Sequence, residues 1–145
     1  MSRFAHAIYS DDIRHEVGNK RSIVGIYSGT LFVPAFPALL PKLCISVSVV
    51  TPSSKPFKSM KVRILVDDSV FAEYPVDEQQ FIQQQADSVV SEDPDRPRVN
   101  EIHLALQISP FPIEKAILLR TRIVTEEEEL KAGGLSIELT PSTVQ

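Results

Sequence analysis

From Leu43 to Val50 the chain alternates with a period of two, Leu43, Ile45, Val47 and Val49 against Cys44, Ser46 and Ser48. The pattern returns at 60–66 and at 102–108. Successive strand side chains point to opposite faces, so this period marks strands with one buried face. A chain built of such segments must form sheets, and sheets with one apolar face must cover it against another layer.

Eight strands follow from this reading, at 4–17, 22–33, 43–50, 60–66, 70–76, 102–108, 117–124 and 135–139. In the first, Asp11-Asp12 interrupts the apolar residues, and a bulge or kink there would reconcile its halves. Gly18-Asn19 predicts a two-residue hairpin with Gly first. The return strand carries apolar residues on both faces and reads as central. Asp67-Asp68-Ser69 predicts a second hairpin turn, and Gly133-Gly134 a third. Eleven prolines against five glycines require frequent punctuation. Pro34, Pro37 and Pro41 predict an extended segment crossing between sheets. The period changes once: Asp77 can cap a helix with Gln80 at N3, and apolar residues then recur at helical spacing to about Val90. Residues 91–98 are acidic and proline-rich and read as a mobile loop. The expected fold is an all-β, mainly antiparallel, immunoglobulin-like sandwich with one short helix near 78–90, in a single domain over residues 1–145.

Composition narrows function mainly by exclusion. The formal charge of −4 gives no basic footprint for nucleic acid. No apolar run approaches the roughly 20 residues of a membrane helix. Cys44 is the only cysteine, so no intrachain disulfide can form, and a cytoplasmic setting is expected.

Four aspartates are candidate metal ligands: Asp11, Asp12, Asp67 and Asp68. Paired aspartates at one end of a sandwich could supply the oxygens calcium requires. Against this, strand geometry sends neighbouring residues to opposite faces, and aspartate is a favoured turn residue. His15 and Glu16 extend the first pair without a recognisable site spacing. Cys44 would need a nearby His6, His15 or His103 to become an activated thiol, and a packed thiol is the simpler reading. Gly133-Gly134 lacks the Lys-Ser/Thr of a phosphate loop. Glu126–Glu129 reads as a solvated acidic turn. No catalytic residue and no cofactor is expected.

Asp11-Asp12-Ile13-Arg14, Glu16, Gly18-Asn19-Lys20, Ile23-Val24-Gly25-Ile26-Tyr27 and the stretch from Pro34 to Leu43 resemble a family of uncharacterised bacterial proteins, prophage proteins among them, known only as a domain of unknown function. The resemblance implies an immunoglobulin-like sandwich and no known activity. The expected function is a non-enzymatic module that binds a protein partner or associates with itself. The alternative is a metal- or small-ligand-binding domain built on the four aspartates.

Overall fold

The computed structural model describes residues 2–18, 20–80, 82 and 99–142. Its strands are β1 (Phe4–Glu16), β2 (Lys20–Ile26), β3 (Thr30–Val33), β4 (Ala38–Leu40), β5 (Leu43–Pro52), β6 (Met60–Val66), β7 (Ser69–Pro75), β8 (Val99–Ile108), β9 (Phe111–Ile113), β10 (Ile117–Thr125) and β11 (Glu129–Leu139). They form a four-stranded sheet in the order β2-β1-β5-β8, a five-stranded sheet β3-β11-β10-β6-β7, and a small sheet β4-β9. Every pairing is antiparallel except β3 with β11.

One apolar cluster fills the space between the two large sheets. Ile45, Val47, Ile102 and Leu104 enter it from one side, and Ile64, Leu119, Ile123 and Ile137 from the other. The inward positions of β8 and β10 are those the alternation selects. Buried polar groups at this interface are paired: the Tyr9 and Thr121 hydroxyls lie 2.6 Å apart across the sheets. Burial outweighs that hydrogen bond and raises the Tyr9 pKa.

Several local expectations are corrected. The segment 22–33 is two strands, because β2 ends at Ile26 and β3 joins the other sheet. Gly25 and Gly29, at φ 70° and 88°, turn the chain between them. β2 is accordingly an edge strand, not a central one. The first hairpin pairs Glu16 with Lys20, so three residues connect the strands, and Gly18 takes φ 88°. Gly133-Gly134 is no turn: Gly133, at φ 121°, sits where β11 slips register against β10 at Thr121/Arg122. A Cβ on Gly134 would stand 2.9 Å from the Leu119 carbonyl oxygen, so the close strand approach requires glycine. Ser46 and Ser48, expected opposite the buried face, are also buried.

Other expectations match what is observed. The Pro34–Pro41 segment crosses from β3 in one sheet to β5 in the other. On the way, Leu39 pairs with Pro112 in the small sheet. Asp67-Asp68 closes the β6–β7 hairpin with Asp67 at φ 53°, a conformation aspartate tolerates better than most residues. Asp77 caps a helical turn at 78–80, its carboxylate accepting from the Gln79 amide at 3.0 Å. Residues 83–90 of the expected helix and the loop at 91–98 lie outside the described residues.

The β1–β2 hairpin leaves the plane of its sheet. Arg21 pairs with His15, while His103 is level with His6 through Ser48. A straight hairpin would carry Arg21 about 30 Å beyond His103, at roughly 3.3 Å per residue, with β1 and β5 between them. Yet Arg21 Nη2 lies 3.1 Å from His103 Nδ1. The hairpin therefore bends back over the outward face of the four-stranded sheet. The bend falls at Asp11, just past Ser10, the last β1 residue paired with β5.

Candidate functional site

Asp11 accepts a hydrogen bond from Tyr27, which crosses the hairpin above Gly25. Burial and this carboxylate push the Tyr27 pKa up to about 12. Asp12 pairs with Lys42 at 2.6 Å and Arg14 at 3.3 Å. These cations hold its carboxyl below the usual range, and Asp12 in turn raises Lys42. Asp67 accepts from the Leu118 amide at 3.0 Å, and Asp68 lies 3.4 Å from Arg120. Each aspartate thus has its own partner. Among the described residues, no three His, Cys, Asp or Glu side chains are grouped as metal ligands would be.

The acidic run is not simply solvated. Glu126 receives two hydrogen bonds from Arg3, at 2.8 and 3.0 Å. The Arg3 side chain is 1% exposed and also bonds Thr51 and the carbonyls of Lys55 and Pro56. Its guanidinium lies 4.5 Å over the Phe57 ring. Burial pushes the Glu126 carboxyl up, but hydrogen bonds from Arg3 and from backbone amides outweigh it and leave the group lowered. Glu127 pairs with Lys55, and Glu129 with Arg63 and Arg122. The turn is a clasp that ties the N-terminal end of β1 to two loops.

His103 forms a second polar group. Its Nδ1 lies 3.1 Å from both Arg21 and the Ser48 hydroxyl, while Nε2 lies 3.4 Å from Glu101. Arginine only donates, so Nδ1 accepts. Cys44 is buried on the same outward face, with Sγ 3.8 Å from the Asp11 carbonyl.

A cleft of about 400 Å³ opens between the β6–β7 hairpin and β9. Its lining includes Val66, Val70, Phe71, Phe111, Ile113 and Ile117, with Asp67, Glu114 and Lys115 supplying charge. A β-bulge lies at its wall: Ile64 pairs with Ala72 but Leu65 with Val70, leaving Phe71 as the extra residue. A bulge re-aims the side chain it carries. Here the Phe71 ring stands edge-on to Phe111, with centroids 5.8 Å apart at 85°. Phe71 remains 44% exposed and Val70 55%, on an edge strand. Leu39 and Pro112 add exposed apolar surface on the β4–β9 pair. Reading by period missed this site, since Val70 and Ala72 fit a plain alternation and nothing marks the residue between them as a bulge.

Strand order, register and core together define an all-β sandwich. The chain belongs to a family of unknown function, DUF6941, whose model matches residues 5–138. No curated protein and no solved structure matches it. Among the described residues, no helix is long and apolar enough to cross a membrane.

Proposed function

We propose that this chain is a non-enzymatic binding module that takes an apolar side chain of a protein partner, or of another copy, into the Phe71–Phe111 cleft. The observation that carries this reading is the bulge at Phe71. It spends a strand position to hold an aromatic ring half-exposed over an open apolar cleft, where a regular strand would have continued the ladder. Such clefts with a few charged groups at the rim suit anchor residues of a partner. The bulge and Pro75 also blunt β7 as a template for indiscriminate strand pairing.

The module reads as one immunoglobulin-like domain. Supporting this, β1, β5 and β8 fall where strands A, B and E of that fold lie, and β6, β10 and β11 where C, F and G lie. A bacterial cytoplasm or a phage-encoded assembly is the expected setting, on the strength of the resemblance and the lone reduced cysteine. The acidic balance argues against nucleic acid as partner.

The test uses the full chain as bait, identifies what it retains, and measures binding of the purified partner. Val70→Lys at the cleft should weaken binding at least tenfold, while Glu16→Lys on the distant hairpin should leave it unchanged. A chain that retains nothing and stays monomeric at all concentrations would sink the proposal. So would a partner indifferent to Val70→Lys.

A further inference from the structure

The folded-back β1–β2 hairpin lies over the outward side chains of β5, held among the described residues by a handful of polar contacts. We infer that the hairpin is a hinged strap that lifts off the four-stranded sheet as a unit while the sandwich stays folded, controlling access to the row Cys44, Ser46 and Ser48. This is independent of the cleft.

Three observations support it. The first is the hinge. β1 leaves β5 after Ser10, and the returning chain passes Gly25 and Gly29, both at positive φ, so the bend involves two positions of unusual backbone freedom. The second is weak attachment. Arg21, Ile13 and Ile23 share one face of the hairpin by register, and the Arg21–His103 contact turns that face toward the sheet. Ile13 and Ile23 are only half-buried, and neither belongs to the core cluster. Among the described residues, the Asp12–Lys42 ion pair and the Cys44 thiol contact to the Asp11 carbonyl add to this attachment. The third is the surface beneath. Cys44, Ser46 and Ser48 are 2%, 3% and 7% exposed, yet they are small and mostly polar. Uncovering them exposes hydroxyls and a thiol that water can satisfy, not an apolar sheet face. Local opening is easiest where few apolar contacts are lost.

Cys44 is the only cysteine and reports the motion directly. The experiment follows its reaction with a thiol reagent in the intact protein across a urea series, beside hydrogen exchange of the hairpin amides. Below the unfolding transition, labelling should depend only weakly on urea, because opening the strap exposes little surface. Arg21→Ala should raise the labelling rate roughly three- to tenfold, the scale of one lost charge-assisted hydrogen bond partly screened by water. Exchange of the hairpin amides and of the β5 amides should stay unchanged, because the hairpin lifts with its own β1–β2 ladder intact; faster hairpin exchange in step with labelling would mean fraying of the hairpin and would overturn the proposal. Labelling with the full urea dependence of global unfolding would overturn the proposal. An Arg21→Ala rate equal to that of the unaltered protein would overturn it too. If Arg21→Ala lowers global stability, Lys42→Met repeats the comparison at the other attachment, and the same two results decide.

Discussion

Removing one partner of the Arg3–Glu126 pair should cost very different amounts depending on which partner goes. Glu126→Gln leaves the Arg3 guanidinium, 1% exposed, without its carboxylate. An uncompensated buried charge costs about 3–5 kcal/mol. The glutamine oxygen can still accept one hydrogen bond, so the low end, about 3 kcal/mol, is expected. Arg3→Met instead leaves Glu126, whose side chain is 18% exposed and keeps the Lys58 amide at 3.0 Å. That carboxylate can rehydrate, and methionine fills much of the vacated volume, so about 1–2 kcal/mol is expected. At this chain length each kcal/mol moves the melting temperature by about 2–4 °C. The double variant should cost less than the sum of the two, because the partners are in contact.

Urea unfolding with an unchanged m-value is the assay. The pH dependence adds a sign. The folded Glu126 pKa is lowered, so its stabilising share is complete above the unfolded carboxylate value, about 4.3, and is lost as pH falls through the lower folded value. Glu126→Gln should therefore flatten the acid limb of the stability curve. Arg3→Met costing more than Glu126→Gln would refute the reasoning. So would a Glu126→Gln cost below about 1 kcal/mol, since the buried cation would then have no need of its carboxylate.

The remaining predictions come from single contacts. Tyr9→Phe strips the Thr121 hydroxyl of its partner across the sheets and should cost about 1–3 kcal/mol by urea unfolding. Gly134→Ala pushes a Cβ to 2.9 Å from the Leu119 carbonyl and should cost about 1–3 kcal/mol. The reciprocal change at Ala132, the buried residue that the register slip leaves unpaired, should cost about 1 kcal/mol as Ala132→Gly. Because Asp11, Asp12, Asp67 and Asp68 each hold a different partner, millimolar calcium should leave the melting temperature unchanged. A rise of several degrees would restore them as a metal site.

What the sequence made legible was whatever a period of two can encode. The inward faces of β5, β6 and β8 were readable because apolar side chains there alternate without interruption, and β10 departs from this only at its buried threonines, Thr121 and Thr125. Turn residues placed the Asp67-Asp68 hairpin and the Asp77 cap, since Asp67 tolerates the positive φ of the turn and Asp77 bonds the backbone two residues on. Failures came where a distant partner decides. Arg3 reads as a terminal surface charge until Glu126 is brought to it from the far end of the chain. Gly133-Gly134 reads as a turn because the Leu119 carbonyl that requires a missing Cβ lies on a neighbouring strand. Phe71 looks like one more strand residue, since a bulge is a mismatch between two strands and one strand does not reveal it. The folding-back of the hairpin is written in the positive φ of Gly25, which any glycine permits and none announces.

The proposed role of the cleft between Phe71 and Phe111 is to receive a protein partner. A photo-cross-linking residue placed at Val70 in the cell of origin tests it most directly, with the same residue at Glu16 as control. A discrete cross-linked species is expected from position 70, suppressed by Phe71→Ser, and none from position 16. Equal cross-linking from both positions, or none from position 70, would contradict it.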